Sequence, residues 1–149
     1  MHSGRCCHVA FQPLVDAVDG PAVDIDRQYR LLTSTLLYRD AFAGGNPVEG
    51  QCCYKVSHQR DVPCGQAGES CPLDHARNTR VQARSLHVHC RPHGNVHEEV
   101  TVHPLVDEHG TVTAFVERHR LLTAASASAS PGKLVGRSAP FMRMLELVT

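Results

Sequence analysis

The 149-residue chain balances 15 lysines and arginines against 15 aspartates and glutamates, and it holds eleven histidines and seven cysteines. That length suits one domain with appendages and allows a buried core, so the cysteines are not needed as staples. The lack of a basic excess argues against broad contact with nucleic-acid phosphates, and no apolar run approaches the roughly 20 residues of a membrane-spanning helix.

The first residues, MHSGRCCHVAFQPLV, contain no apolar stretch of the kind a secretory signal needs. A cytoplasmic protein with reduced thiols is therefore expected, and crowded cysteines there read as metal-binding or redox groups before disulfides. Residues 1–12 are polar and aperiodic and are expected to form a flexible N-terminus. Leu14, Val15 and Val18 suit a short helix ending near Gly20. PAVDIDRQYRLLTST predicts two short strands about a turn at Asp26-Arg27, and LLYRDAFAGG predicts a helix stopped by Gly44-Gly45.

The next segment, QCCYKVSHQRDVPCGQAGESCPL, reads as a cysteine-rich loop, followed by a helix over LDHARNTR. After Val81 the pattern changes to a period of two. Leu86, Val88 and Cys90 form the apolar side of one strand, with His87 and His89 opposite, expected on an exposed or dimer-forming face. Val96, Val100 and Val102 oppose His97, Glu99, Thr101 and His103 in a second strand; Val112, Ala114 and Val116 line a third. RPHGN and DEHG supply glycine for the hairpin turns. Two strands, several small helices and three strands predict an α+β domain on one antiparallel sheet of about five strands. Residues 124–133, Ala/Ser-rich and without large apolar groups, read as a linker.

This order of elements resembles a PAS domain over residues 13–123. PLVDAVDGPAVDIDRQYRLL is similar to the PAS opening, in which a helix leads into a strand, an acidic turn and a second strand. HPLVDEHGTVTAFVERHRLL is similar to the PAS ending, a hairpin with an Asp-x-x-Gly turn and a strand leading to an output helix. KLVGRSAPFMRMLELV in turn resembles the start of the AAA+ ATPase domain of sigma-54-dependent activators. Ser138 would cap its helix, Pro140 would sit in the first turn, and Phe141, Met144, Leu145 and Val148 would form the apolar stripe. The resemblance implies that residues 134–149 are the first helix of an ATPase domain cut short. No G-x-x-x-x-G-K-[ST] occurs in the chain, so ATP binding and DNA contact are expected only in the missing part.

A subset of PAS domains in such regulators carries Cys-Tyr-x-x-x-His, then Pro-Cys, then Cys-Pro-Leu. This sequence is similar at Cys53-Tyr54, His58, Pro63-Cys64 and Cys71-Pro72-Leu73. Cys53, His58, Cys64 and Cys71 offer three thiols and an imidazole, enough for a tetrahedral zinc or for an iron–sulfur cluster, and the two remain open. Pro63 and Pro72 restrict the backbone beside two of the cysteines, and Lys55 and Arg60 could offset thiolate charge. Haem ranks behind both because there is no C-x-x-C-H, although His58 or His75 could be an axial ligand. Cys52 and Cys90 suit small buried hydrophobes, and Cys6-Cys7-His8 is a ligand-like group in the terminus. His87 and His89 could join the cluster if it packs over their face.

The leading expectation is a cytoplasmic, non-enzymatic sensory domain, homodimeric, that reports a redox, metal or small-molecule signal to an attached AAA+ domain. The alternatives are a structural zinc module for protein–protein contact and a thiol oxidoreductase. The oxidoreductase reading lacks a C-x-x-C pair and a nucleophile–base motif.

Overall fold

The computed structural model describes residues 15–122, 125–126, 134–135 and 138–148. The expectations for residues 1–12, for Cys6-Cys7-His8 and for most of 124–133 lie outside the described residues. Strands β1 (Ala22–Asp26) and β2 (Leu31–Ser34) form the first hairpin. Its turn is set by Asp26, whose carboxylate accepts hydrogen bonds from the backbone N–H groups of Gln28 (2.7 Å) and Arg30 (2.9 Å). Helix α1 (Leu36–Ala43) begins at Thr35, whose hydroxyl accepts from the Tyr38 N–H at 3.2 Å. It ends at Gly44, where φ is 59°.

The cysteine-rich segment is more ordered than its composition suggests. Helix α2 (Cys53–His58) occupies its first part, and a 3₁₀ turn (Cys64–Ala67) follows. Neither has a capping side chain, and six residues are too few to hold a helix by propensity alone. Tertiary contacts supply the difference: Cys53, Val56, Ser57 and His58 are buried, and the Cys53 N–H donates to the Tyr29 carbonyl at 2.8 Å. Helix α3 (Pro72–Thr79) forms where LDHARNTR predicts a helix but begins one residue earlier, with proline in its first turn.

Strands β3 (Ala83–Arg91), β4 (Gly94–Val106) and β5 (Val112–Leu121) make the expected antiparallel meander. The sheet order is β2-β1-β5-β4-β3, which puts the first and last of the five strands side by side in the middle and leaves β3 on an edge. Helices α1–α3 cover one face, joining Tyr38, Phe42, Val56, Leu73 and Ala76 to Val23, Ile25, Val100, Val102 and Phe115. The α+β fold with small helices on one face of a five-stranded sheet is the architecture expected from the sequence.

Two strand faces are the reverse of expectation. His87 and His89 are 5% and 2% exposed and face α1–α3, so they belong to neither a solvent nor a dimer surface. On β5 the helix-facing side chains are Phe115, Glu117 and His119, while Ala114 and Val116 lie on the opposite face. The expectation for β4 holds for Val100 and Val102, but Glu98 shares their face and is fully buried. Alternation fixes which residues share a side and leaves open which side is interior when both are covered.

Both are covered because helix α4 (Ala139–Val148) packs on the second face. Leu145 closes over Leu86 and Leu122, flanked by Phe141 and Met142. Ser138 caps this helix as predicted, accepting from the Phe141 N–H at 3.3 Å. The expected apolar stripe is rotated, however, since Met142 packs inward and Met144 is 42% exposed. Two-residue strands β6 (Ala125–Ser126) and β7 (Leu134–Val135) pair in parallel between β5 and α4.

Asp24 on β1 sits on the face opposite Val23 and Ile25, fully buried, and neither carboxylate oxygen has a hydrogen-bond partner. Burial raises its pKa from 3.8 to about 7. The folded state therefore binds this proton more tightly than the unfolded chain, and stability falls as pH rises from 3.8 through about 7. Asp24→Asn should raise the unfolding free energy at pH 8 by about 1–3 kcal/mol and flatten that fall. Urea denaturation at pH 5 and pH 8 checks it; a variant less stable than wild type at pH 8 would refute it.

Candidate metal centre

Five separate elements deliver ligand-type side chains to the space beneath α1–α3. Helix α2 turns Cys53, Ser57 and His58 inward, the 3₁₀ turn places Cys64, and Cys71 stands at the N-cap of α3. Strand β3 adds His87 and His89, and β5 adds Glu117. All of these line one gap of about 10 Å³, the volume of a single water-sized sphere. Each of the four residues singled out from sequence, Cys53, His58, Cys64 and Cys71, reaches it.

One grouping here is His58, Cys64, Glu69 and His87, whose ligand atoms all lie within 4.8 Å of one another. A tetrahedral zinc holds its ligand atoms about 3.5 Å apart, so a contraction of roughly an ångström would close the set on one ion. Hydrogen bonding fixes the His87 tautomer. Its Nε2 lies 2.7 Å from the Ser70 carbonyl, which can only accept, so Nε2 carries the proton. His87 Nδ1 is therefore the lone-pair nitrogen, 3.2 Å from His58 Nε2. A carbonyl behind one ring nitrogen with the other turned inward is the usual support of a metal-bound histidine.

His58 is kept neutral: burial and the neighbouring His87 lower its pKa to about 4. Its Nδ1 has no hydrogen-bond partner and stands 3.9 Å from Glu69, which Arg60 holds at 2.7 Å. The cysteines divide in character. Interaction with Cys71 raises the Cys64 thiol, and interaction with Cys64 lowers that of Cys71. Backbone N–H groups of Leu73 and Asp74 also favour the Cys71 thiolate. Burial pushes Cys53 well up, with Glu117 adding to the effect.

Beside this set lies a second one. His89 Nδ1 is 2.9 Å from Glu98 Oε2, His119 Nδ1 is 3.7 Å from the same oxygen, and His119 Nε2 donates to Glu117 at 2.8 Å. Arg91 binds the other Glu98 oxygen. Burial would lower the His119 pKa, but its hydrogen bond with Glu117 and the nearby Glu98 carboxylate outweigh that and raise it to about 9. Burial would likewise raise Glu98, but His119 and His89 hold it well below the ordinary carboxylate range. His89 stays neutral because of burial.

Other sequence candidates fall outside the gap. Cys52 is the half-buried N-cap of α2, and Cys90, also half-buried, donates to the His58 carbonyl at 3.5 Å. His75 is exposed on α3, and Lys55 pairs at the surface with Asp61 at 3.7 Å, away from the thiols. The gap has no room for a haem. Glu69, Glu98, Glu117 and His119 were not singled out from sequence. For Glu117 and His119 the signal was present in their i, i+2 spacing, which aligns the pair on one strand face. Glu69 and His87 also line a separate cavity of about 530 Å³ between residues 68–70, β3 and α4, which gives the group an outward side.

No protein-family model matches the chain, and no curated protein matches it. Solved structures resemble it. The PAS domain of a protein from Colwellia psychrerythraea superposes with a TM-score of 0.58 at 15% identity, covering 75% of this chain and 93% of that one. A light-oxygen-voltage domain studied with a flavin analogue gives 0.58 at 9% identity, over 95% of this chain and 94% of that one. VqmA bound to DPO gives 0.59 at 16% identity, and the match to 75% of this chain spans only 56% of VqmA. At such identities the likeness shows the fold alone, and that fold is PAS.

Folding raises His119 from 6.5 to about 9, so its stabilisation is complete below pH 6.5 and is lost as pH rises through about 9. In metal-free protein, chemical denaturation between about pH 6.5 and 9.5 should show wild type losing stability faster than His119→Gln. Equal slopes in the two proteins would contradict the charge assignment.

Proposed function

We propose that this chain is the cytoplasmic sensory domain of a sigma-54-type activator, and that it reads metal or redox state through a centre held by Cys53, His58, Cys64 and Cys71. One observation supports this reading above the rest: ligands from α2, the 3₁₀ turn, the start of α3 and β3 converge on one gap of about 10 Å³. His87 and Glu69 compete with Cys53 and Cys71 to complete the set around His58 and Cys64. The size of the gap suits one zinc or one iron better than a multi-iron cluster. A bound ion supplies a fixed charge that requires the thiols as thiolates and the imidazoles neutral.

The protein side of the mechanism follows from which elements the ligands join. Cys64 and Cys71 line the same gap, so loss of an ion or oxidation of either sulfur alters how the 3₁₀ turn meets α3. His87 passes that change to β3, where the adjacent residue, Leu86, points the other way into the contact with Leu145 of α4. Helix α4 would thus report the state of the centre to an attached AAA+ domain, in a homodimer, by a shift in population between two packings. The domain performs no chemistry of its own in this scheme.

Protein purified without oxygen should hold at least one zinc or iron per chain with sulfur in its coordination shell, by elemental analysis and X-ray absorption. Cys64→Ala and Cys71→Ala should each lose that sulfur-bound ion, and Cys90→Ala should keep it. Anaerobic protein with no sulfur-bound metal, together with unchanged stability in Cys64→Ser, would overturn the reading. An ion that stays bound and silent through oxidation and reduction would leave the structural zinc module instead. In a chain carrying the complete ATPase, Cys64→Ala should uncouple ATP turnover from the metal.

A further inference from the structure

The second group of ligands has no place in that scheme, although His89 also lines the gap. His89, Glu98 and His119 come from the adjacent strands β3, β4 and β5, so the sheet register itself sets their spacing. They are 2%, 0% and 2% exposed, and their ligand atoms lie within 4.8 Å of one another. We propose that these three side chains form a second metal site, one that binds a divalent first-row ion such as Fe²⁺, Zn²⁺ or Co²⁺ through nitrogen and oxygen alone.

The neighbours are arranged as such a site requires. Glu117 accepts the Nε2 proton of His119 at 2.8 Å, which leaves Nδ1 to face Glu98 Oε2 at 3.7 Å. A carboxylate behind a histidine that turns its other nitrogen to the ion is a recurrent support of metal centres. Arg91 plays the matching part for Glu98, holding Oε1 so that Oε2 points at both imidazoles.

Two orphaned polar atoms point the same way. His119 Nδ1 is buried without a hydrogen-bond partner, and so is the hydroxyl of Tyr38, whose ring packs 5.4 Å from that of His119. Buried polar groups are rarely left unpaired, so each calls for a ligand. Two imidazoles and a carboxylate without thiolate select borderline divalent ions and leave coordination positions free for water or a small ligand.

Cobalt titration of the metal-stripped 149-residue chain tests this, because thiolate-bound Co²⁺ shows sulfur charge-transfer absorption and N/O-bound Co²⁺ shows ligand-field bands only. Wild type should take up about two ions, one of each kind. Cys64→Ser/Cys71→Ser should keep about one ion, without charge-transfer absorption, and adding Glu98→Gln should remove it. Glu117→Gln in the same background should weaken binding about 10–100-fold. It decides the matter even if the Glu98 variant fails to fold, since unchanged affinity in it would overturn the proposal. Wild type that saturates with thiolate-bound cobalt alone would also overturn it, and the cluster would then be a buried ion-pair network. Cobalt retained in a folded Glu98→Gln variant would place the ion elsewhere and would overturn it too. Failure of the thiolate centre reads differently, as loss of the charge-transfer absorption with the ligand-field bands intact.

Discussion

Charge buried beneath helices α1–α3 is the constraint that organises this domain. A buried carboxylate or imidazolium is costly unless another group meets it, and here strands β3, β4 and β5 each contribute such groups to one face. Their antiparallel register sets His87 opposite Glu98 and His89 opposite Val96, and it pairs Val100 with His119. A slip of one residue in either pairing would turn half of these groups outward and strand the rest. The polar interior therefore specifies the register as strictly as a hydrophobic one would. The aromatic rings of Tyr38 and Phe42 seal it, packing within 5.4 Å and 5.1 Å of His119.

The same constraint explains why the cysteine-rich segment folds. Helix α2 has no capping side chain, and its residues are held by what they meet across the gap. His58 meets His87 there, and Cys64 meets Cys71. An element that depends on contacts between ligand-type side chains responds to whatever binds those side chains. Strand β3 then links the two faces of the sheet, since His87 and His89 look toward the gap while Leu86 looks toward α4. A change on one face has a direct physical route to the other.

Much of this was legible in the sequence. The hairpin at Asp26, the stop at Gly44, the helix after Cys71 and the three-stranded meander all follow from turn chemistry and periodicity. The convergence of Cys53, His58, Cys64 and Cys71 on one gap was also foreshadowed by their crowding. What local pattern could not supply was the identity of the inner face. In ARSLHVHCR the two sides alternate cleanly, and the choice rests on α4, far along the chain, which claims Leu86 for the outer layer. Once that face is assigned, His87, His89, Glu98, Glu117 and His119 become interior together. Helix α2 escaped detection because its stability is tertiary rather than local.

The most direct test of the account is anomalous diffraction at the iron and zinc edges from crystals of the chain grown without oxygen. The account predicts a peak enclosed by His58, Cys64 and their neighbours Cys71 and His87, beneath α2 and the 3₁₀ turn. Density there that shows only water, or thiols packed against imidazoles with no anomalous scatterer, would contradict it.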